Sequence, residues 1–280
     1  MIRAFLRHIL VVLASVAALL LPAGCAPDAV QCNYKATVTI EPLRYFFTRL
    51  AGPQWQVSTV VPKGFSPEEF MPTASQMARV AESCCLFKVG RLGFETTALA
   101  DVLGSGIYVC DTSEGLPAGQ TDPHTWTSPA NARIICRNMA AALSRLDTAN
   151  ASHYAERLGQ VEASIDSLDR ELKALTRDLP SRSFVIAHPA LTQFAADYGL
   201  RQIAIESGGK EPTPGSLRQL ISQARKDGVR VVFVQREFTE NAALVIAQET
   251  GARIVSVNPL DYDWPAQLRL VARSLKNTTK

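Results

Sequence analysis

Short apolar runs alternate with longer amphipathic ones along residues 35–111. "KATVTI" (35–40) alternates polar and apolar and is rich in β-branched residues, which predicts a strand. "PLRYFFTRLAG" (42–52) has helical spacing and stops at Gly52. "WQVSTVV" (55–61) reads as a second strand, "TASQMARVAES" (73–83) as a helix, and the apolar run "CCLFKVG" (84–90) as a buried strand. "GIYVCD" (106–111) adds a fourth strand. An amphipathic helix follows at 128–147. A longer one runs from about Asn150 to Asp178, with Asn150 as N-cap and Pro180 closing the segment. Leu158, Val161, Ile165, Leu168, Leu172 and Leu175 are three or four apart and form one apolar stripe on it. Strand and helix then alternate again. Strands are predicted at 183–188, 201–207, 229–235 and 252–258, with helices between and after them. Thr213 and Pro214 open one of those helices.

The β-α-β order predicts crossover connections and parallel sheets. The expected architecture is α/β with two lobes, each a roughly four-stranded, mainly parallel sheet flanked by helices, joined by one long backbone helix. The corresponding boundaries are an N-terminal lobe at 35–148, a linker helix at 149–179 and a C-terminal lobe at 180–280. At about 1.5 Å per residue the linker helix would be roughly 40 Å long, enough to cross from lobe to lobe. Ligands in such folds bind beyond the carboxyl ends of strands, and a shared cleft is the natural site.

Composition alters this picture only at the N-terminus. The chain has 280 residues, 47% hydrophobic and 20% charged, with a formal net charge of +3, and no basic run points to nucleic acid. "MIRAFLRHILVVLASVAALLLPAGC" has Arg3 and Arg7, then an apolar run from Ile9 to Leu21 that is short for a membrane span and laid out like an export signal. Its end, "LPAGC", resembles a bacterial lipoprotein signal. Residues 1–24 would be removed, Cys25 lipidated, and 25–34 would form a tether. The chain departs from that pattern at Pro22, where an aliphatic residue is usual. Beyond Cys25 stand Cys32, Cys84, Cys85, Cys110 and Cys136. Export permits a disulfide, and buried free thiols are the alternative. Cys84 and Cys85 point opposite ways on a strand, so at most one of them faces a given partner. No CxxC spacing supports a structural zinc site.

Two of the chain's four histidines carry the chemistry. His124 sits in "GQTDPHTWTSP", between two prolines and beside Trp126, which reads as a packing wedge. His188 ends the strand "SFVIAH". They occupy comparable strand-end positions in the two lobes, and neutral imidazole is the commonest metal ligand. His153 falls on the long helix, where exposure is expected. Gln235 and Glu237 border the cleft without being assigned as ligands. "SGGKEP" lacks the spacing of a phosphate loop.

Four stretches, "VVPKGFSPEEFMPTASQM", "DPHTWTSPANA", "IAHPALTQFAADYGL" and "RIVSVNPL", resemble the zinc/manganese-type metal-binding solute-binding lipoproteins of bacterial ABC transporters. The resemblance covers essentially all of the mature chain. It implies one divalent metal held between two α/β lobes, with His124 and His188 on two ligand positions. Glu68 stands where the first ligand is usually histidine, and Asn258 where the fourth is often aspartate. Glu206 lies near the place of a glutamate ligand in manganese-type members. The expected donors are therefore Glu68, His124, His188 and Glu206, with Asn258 behind them as a second-shell group or weak ligand. Glu69 competes with Glu68, and Glu206 has a rival role pairing with Lys210 or capping its glycine turn.

A mixed N/O site with two imidazoles favours zinc on intrinsic affinity, with manganese next and iron third. The expected function is extracytoplasmic capture of that ion and its delivery to an ABC-transporter permease. The protein would be a monomer, not an enzyme, held periplasmically or at the cell surface by its lipid. A metal-dependent hydrolase, with Glu69 or Glu237 as base, and a surface adhesin are the alternative classes.

Overall fold

The computed structural model describes residues 32–100, 106–117, 122–206, 208–236, 238 and 241–277. The expected signal segment, Cys25 and Glu237 lie outside them. The first sheet contains β1 (Lys35–Val38), β2 (Gln56–Thr59), β3 (Cys85–Lys88) and β4 (Tyr108–Asp111), in the order β2-β1-β3-β4. The second contains β5 (Ser183–Ile186), β6 (Arg201–Ala204), β7 (Val231–Val234) and β8 (Arg253–Ser256), in the order β6-β5-β7-β8. Every pairing is parallel. The two sheets thus repeat one topology, and in each the chain reverses its direction of growth across the first strand.

Helices cover both sheets. They are α1 (Glu41–Ala51), α2 (Ala74–Ala81), α3 (Gly93–Thr96), α4 (Pro129–Leu146), α5 (Ala151–Thr176), α6 (Thr192–Asp197), α7 (Pro214–Lys226), α8 (Asn241–Thr250) and α9 (Trp264–Lys276). Helix α5 is the long helix of the sequence pattern, and Val161, Ile165, Leu168 and Leu172 bury its stripe. Leu158 and Leu175, at its edges, are half-buried. The expected Asn150 cap does not form. Residues Thr148–Asn150 make a 3-10 turn, and the Asn150 amide donates to the Asp147 carboxylate at 2.9 Å instead. The Thr213 cap does form, with Ser216 N–H donating to Thr213 Oγ1 at 3.2 Å.

One apolar cluster runs through the molecule. It joins the inner face of the first sheet (Val38, Phe87), helices α1, α4 and α5, the inner face of the second sheet (Phe184, Phe233) and α9 (Leu268, Val271). The outer face of the second sheet has its own smaller cluster around Val185, Val232 and Ile246. Two tryptophans tie the first-sheet side of this core to the chain beyond β8. Trp126, fully buried, donates its indole N–H to the Pro259 carbonyl at 2.8 Å, and Trp264 donates its own to the Trp126 carbonyl at 2.7 Å. Trp264 also lies edge-on to Phe46 of α1, with ring centroids 4.9 Å apart.

The open question over the cysteines resolves in both directions. Cys32 and Cys84 form a disulfide, while Cys85, Cys110 and Cys136 are buried free thiols. Burial pushes the Cys110 thiol up to about 12, with Asp111 and Glu114 adding to the shift. That leaves it protonated and inert at neutral pH.

Candidate metal centre

His124 is fixed by its own loop. The chain leaves β4, and Asp122 Oδ1 accepts both the His124 backbone N–H and the ring at Nδ1, each at 2.8 Å. A 3-10 turn over Thr125–Thr127 follows, and Ser128 then caps α4 by accepting from Asn131 N–H at 3.1 Å. The buried Trp126 lies 5.2 Å from the imidazole, centroid to centroid. Pinning Trp126 at both its indole N–H and its backbone carbonyl pins the histidine two residues away. Burial alone would raise Asp122, but its hydrogen bonds and charge interaction with His124 outweigh that and hold it below the ordinary carboxylate value.

His188 follows β5 directly, beside the strand with which β5 is paired through Val185 and Ile186, namely β7. Gln235, just past β7 and 2% exposed, grips the His188 backbone twice. Its amide donates to the His188 carbonyl at 2.8 Å, and its carbonyl accepts the His188 N–H at 3.2 Å. Glu206 Oε1 lies 2.5 Å from His188 Nδ1. The Phe238 ring stacks on the imidazole, 4.5 Å away and within 4° of parallel.

Glu68 arrives from the loop between β2 and α2, stiffened by Pro62, Pro67 and Pro72. Phe70, 8% exposed, anchors that loop by packing edge-on to Phe94. Glu68 Oε2 is 3.4 Å from His188 Nε2, and Oε1 is 3.8 Å from His124 Nε2. The two Nε2 atoms are 3.2 Å apart. Two neutral imidazoles that donate at Nδ1 present lone pairs at Nε2. Two lone pairs and a carboxylate aimed at one point repel unless a cation stands between them. Two nitrogens bound tetrahedrally at zinc distances would be about 3.3 Å apart, so the observed spacing needs little adjustment. Among the described residues, Glu68, His124 and His188 are the one group whose donors gather closely enough to share an ion. Pro67, Ala190, Pro259 and Leu260 surround the two rings with apolar surface.

One expected donor, Glu206, is placed outside that group, and so is Asn258, expected only behind the donors or as a weak ligand. Glu206 engages Nδ1 of His188, the nitrogen on the far side of the ring from the cluster, so it backs a donor instead of joining the set. Among the described residues the side chain of Asn258 is hydrogen-bonded within its own loop and to neither histidine. Its Oδ1 accepts the Leu260 N–H at 3.0 Å, a local turn that shapes the loop bearing Pro259. Glu69 points toward the 208–209 turn, where a Cβ on Gly209 would lie 3.5 Å from its Oε1. His153 is exposed on α5. The sequence reading did not single out Asp122 or Phe238. An aspartate two residues before a buried histidine is an Asx-turn signal and could have marked the first. Phe238 carries no local signal.

A protein-family model, zinc-uptake complex component A, periplasmic (ZnuA), matches residues 37–277. The high-affinity zinc uptake system protein ZnuA of Bacillus subtilis (strain 168) is 24% identical over 247 residues, covering 80% of this chain and 77% of that protein. The iron-binding protein YfeA of Yersinia pestis is 24% identical over 249 residues, covering 84% and 80%. Among solved structures, a crystal structure of ZnuA superposes with a TM-score of 0.83 at 31% identity, covering 88% of this chain and 99% of that one.

Proposed function

The chain belongs to the periplasmic zinc-uptake component A family, and from that premise we propose that it captures one divalent transition metal through Glu68, His124 and His188. It is an extracytoplasmic metal-binding protein of ABC-type uptake, and the ion is cargo for a permease, not a resident cofactor. Zinc is the first choice, manganese the second and iron the third. Relatives named for zinc and for iron both match this chain, so the donor set has to decide. Two imidazole nitrogens suit zinc, and a single carboxylate gives harder ions less than they prefer. The observation that carries the reading is the convergence of both Nε2 atoms on the Glu68 carboxylate, with each Nδ1 held from behind by Asp122 or Glu206. Such carboxylate–histidine pairs fix the tautomer and raise the basicity of the coordinating nitrogen.

The metal-dependent hydrolase alternative has less support, since the Glu69 carboxylate is turned toward the 208–209 turn, and Glu237, its other candidate base, lies outside the described residues. Lipidation of Cys25 supplies the attachment in this reading, on the sequence pattern alone. Metal analysis of the purified mature chain, followed by chelator-competition titration, tests the assignment. One zinc per chain is expected, and His124→Ala or His188→Ala should each weaken it by tenfold or more. Wild-type affinity in both variants would place the site elsewhere.

A further inference from the structure

The two sheets share one topology, yet the edges at which their strands begin differ in charge. In the second sheet an arginine stands at the start of every strand: Arg182 just before β5, Arg201 opening β6, Arg230 just before β7 and Arg253 opening β8. All four strands are parallel, so these arginines share one edge, in the spatial order Arg201, Arg182, Arg230, Arg253. At about 4.8 Å between strands the row is roughly 14 Å long. In the first sheet the same positions hold one cation, Lys35. Backbone hydrogen bonds join the arginines in pairs, Arg201 N–H to the Arg182 carbonyl at 2.8 Å and Arg253 N–H to the Arg230 carbonyl at 3.0 Å. Like charges side by side on neighbouring strands are destabilising, so the topology itself does not call for this row.

Little of the charge is neutralised. Arg201 is paired with Asp227 at 3.0 Å. Arg182 is held by backbone carbonyls instead, among them Gly199 at 2.9 Å, and Arg253 by the Ser274 carbonyl at 2.7 Å. Among the described residues no carboxylate lies within ion-pair distance of Arg182, Arg230 or Arg253. The turns leading into the strands add Arg177, Arg225 and Lys226, and the end of α9, brought to the same edge by the Arg253 contact, adds Lys276. Lys226 and Lys276 end helices, where the dipole favours cations, but strand starts supply no such reason. Segments 176–183, 198–202, 224–231, 249–254 and 274–277 together hold eight cations, all exposed, and three carboxylates, Asp178, Asp227 and Glu249. Arg273, one turn earlier in α9, is matched by Glu171 at 3.2 Å and is left out of that count. Eight against three leaves this edge at +5 in a chain whose formal net charge is only +3, so the remainder is acidic.

We propose that the strand-start edge of the second sheet is a docking surface for an anionic lipid bilayer, the charged surface beside which an extracytoplasmic protein works. The cations are spread along an open edge, which suits a plane of phosphates more than one small anion. Each basic side chain near such a plane adds to the attraction, and the guanidinium fork matches phosphate oxygens. His188 leaves β5 at the opposite end, so a bilayer seated on this edge leaves the donor cluster facing away from it. The surface shares no residue with that cluster and does not depend on the metal reading.

Vesicle co-sedimentation tests the proposal, using the mature chain with Cys25→Ser so that no lipid contributes. The probes are vesicles of phosphatidylcholine alone and of phosphatidylcholine with an equal part of phosphatidylglycerol. Binding is expected only to the second, and it should be lost as salt rises from about 0.05 to 0.3 M. Lys226→Gln with Arg230→Glu should weaken it tenfold or more while leaving the zinc titration and melting temperature unchanged. Arg145→Gln with Arg79→Glu, an equal change in charge at exposed helix ends of the first lobe, should keep wild-type binding. No binding to the anionic vesicles, equal binding to phosphatidylcholine, an equal loss in both double variants, or capture of a soluble polyanion such as heparin without capture by vesicles would each overturn the assignment.

Discussion

Exchanging Glu206 for glutamine separates a carboxylate that binds the ion from one that orients a ligand. In the structure Glu206 Oε1 sits 2.5 Å from His188 Nδ1, while the ion-facing Nε2 is 3.4 Å from Glu68. Glutamine at 206 can still accept the Nδ1–H through its amide oxygen, so the tautomer survives and only the charge is lost. Removal of outer partners of this kind costs about tenfold to a hundredfold in metal affinity. Glu206→Gln should fall near the lower figure and Glu206→Ala near the upper. Glu68→Gln replaces a charged donor with a weak neutral amide oxygen and should cost more than either. Chelator competition with zinc at fixed pH gives all three affinities, and the visible spectrum of the cobalt-loaded protein reports the donor set. The Glu206 variants should keep the wild-type spectrum, and Glu68→Gln should change it. If Glu206→Gln lost more than a thousandfold with an altered spectrum, and Glu68→Gln lost less than tenfold, the roles assigned to these two carboxylates would be reversed.

Trp126→Phe deletes the N–H that meets the buried Pro259 carbonyl and shrinks a fully buried ring, so urea unfolding of the metal-free protein should show a loss of about 2–4 kcal/mol. Cys84→Ser opens a crosslink between residues 52 apart, for which chain entropy predicts a loss of about 4 kcal/mol, read as a lower unfolding midpoint matched by reduced wild-type protein. Because Asp122 titrates below its ordinary value of 3.8 when folded, its contribution is fully present above that value and fades as pH falls through the depressed one; Asp122→Asn should narrow its stability gap from wild type as pH is lowered from 5.5 to 3. Small-angle scattering should give nearly superimposable profiles with and without zinc, since one apolar cluster spans both sheets and α5, and a large drop in radius of gyration would contradict this.

The periodic parts of the chain were legible. All eight strands among the described residues fall within segments whose β-branched or alternating pattern marks them, because a parallel sheet covered by helices demands that chemistry wherever it occurs. The strand-end placement of His124 and His188 was legible for a related reason, since strand ends and proline-bounded turns fix where a side chain emerges. The direction of a carboxylate beyond that point was not. Glu206 could face an ion or the back of a ligand, and the choice depends on how the His188 ring is turned, which the Gln235 grip on the backbone and the Phe238 stack determine from β7. Asn258 could have been read better, because an asparagine accepting from the N–H two residues on is a local signal. The Cys32–Cys84 pairing could not, since it depends on how β1 and β3 lie side by side.

The three donors are unequally supported, and this bears on how an ion could be both held and released. Each histidine is locked at Nδ1 by a carboxylate and again through its surroundings, His124 by the Trp126 clasp and His188 by Gln235. Both are nearly inaccessible, at 4% and 6% exposure. Glu68 has a side chain 34% exposed, and its contacts among the described residues are the two histidine nitrogens themselves. The three carboxylates around the pair carry about three negative charges against a divalent ion's two. In the proposed reading the cluster attracts cations, and release follows from moving part of that charge away. Asp122 and Glu206 cannot withdraw without disturbing a buried ring. Glu68 can, since its side chain is 34% exposed and its loop exposes Phe65 and Met71 on either side of it. Within a core too continuous for wide lobe opening, swinging this one loop is the smallest motion that removes both a donor and a charge from the ion.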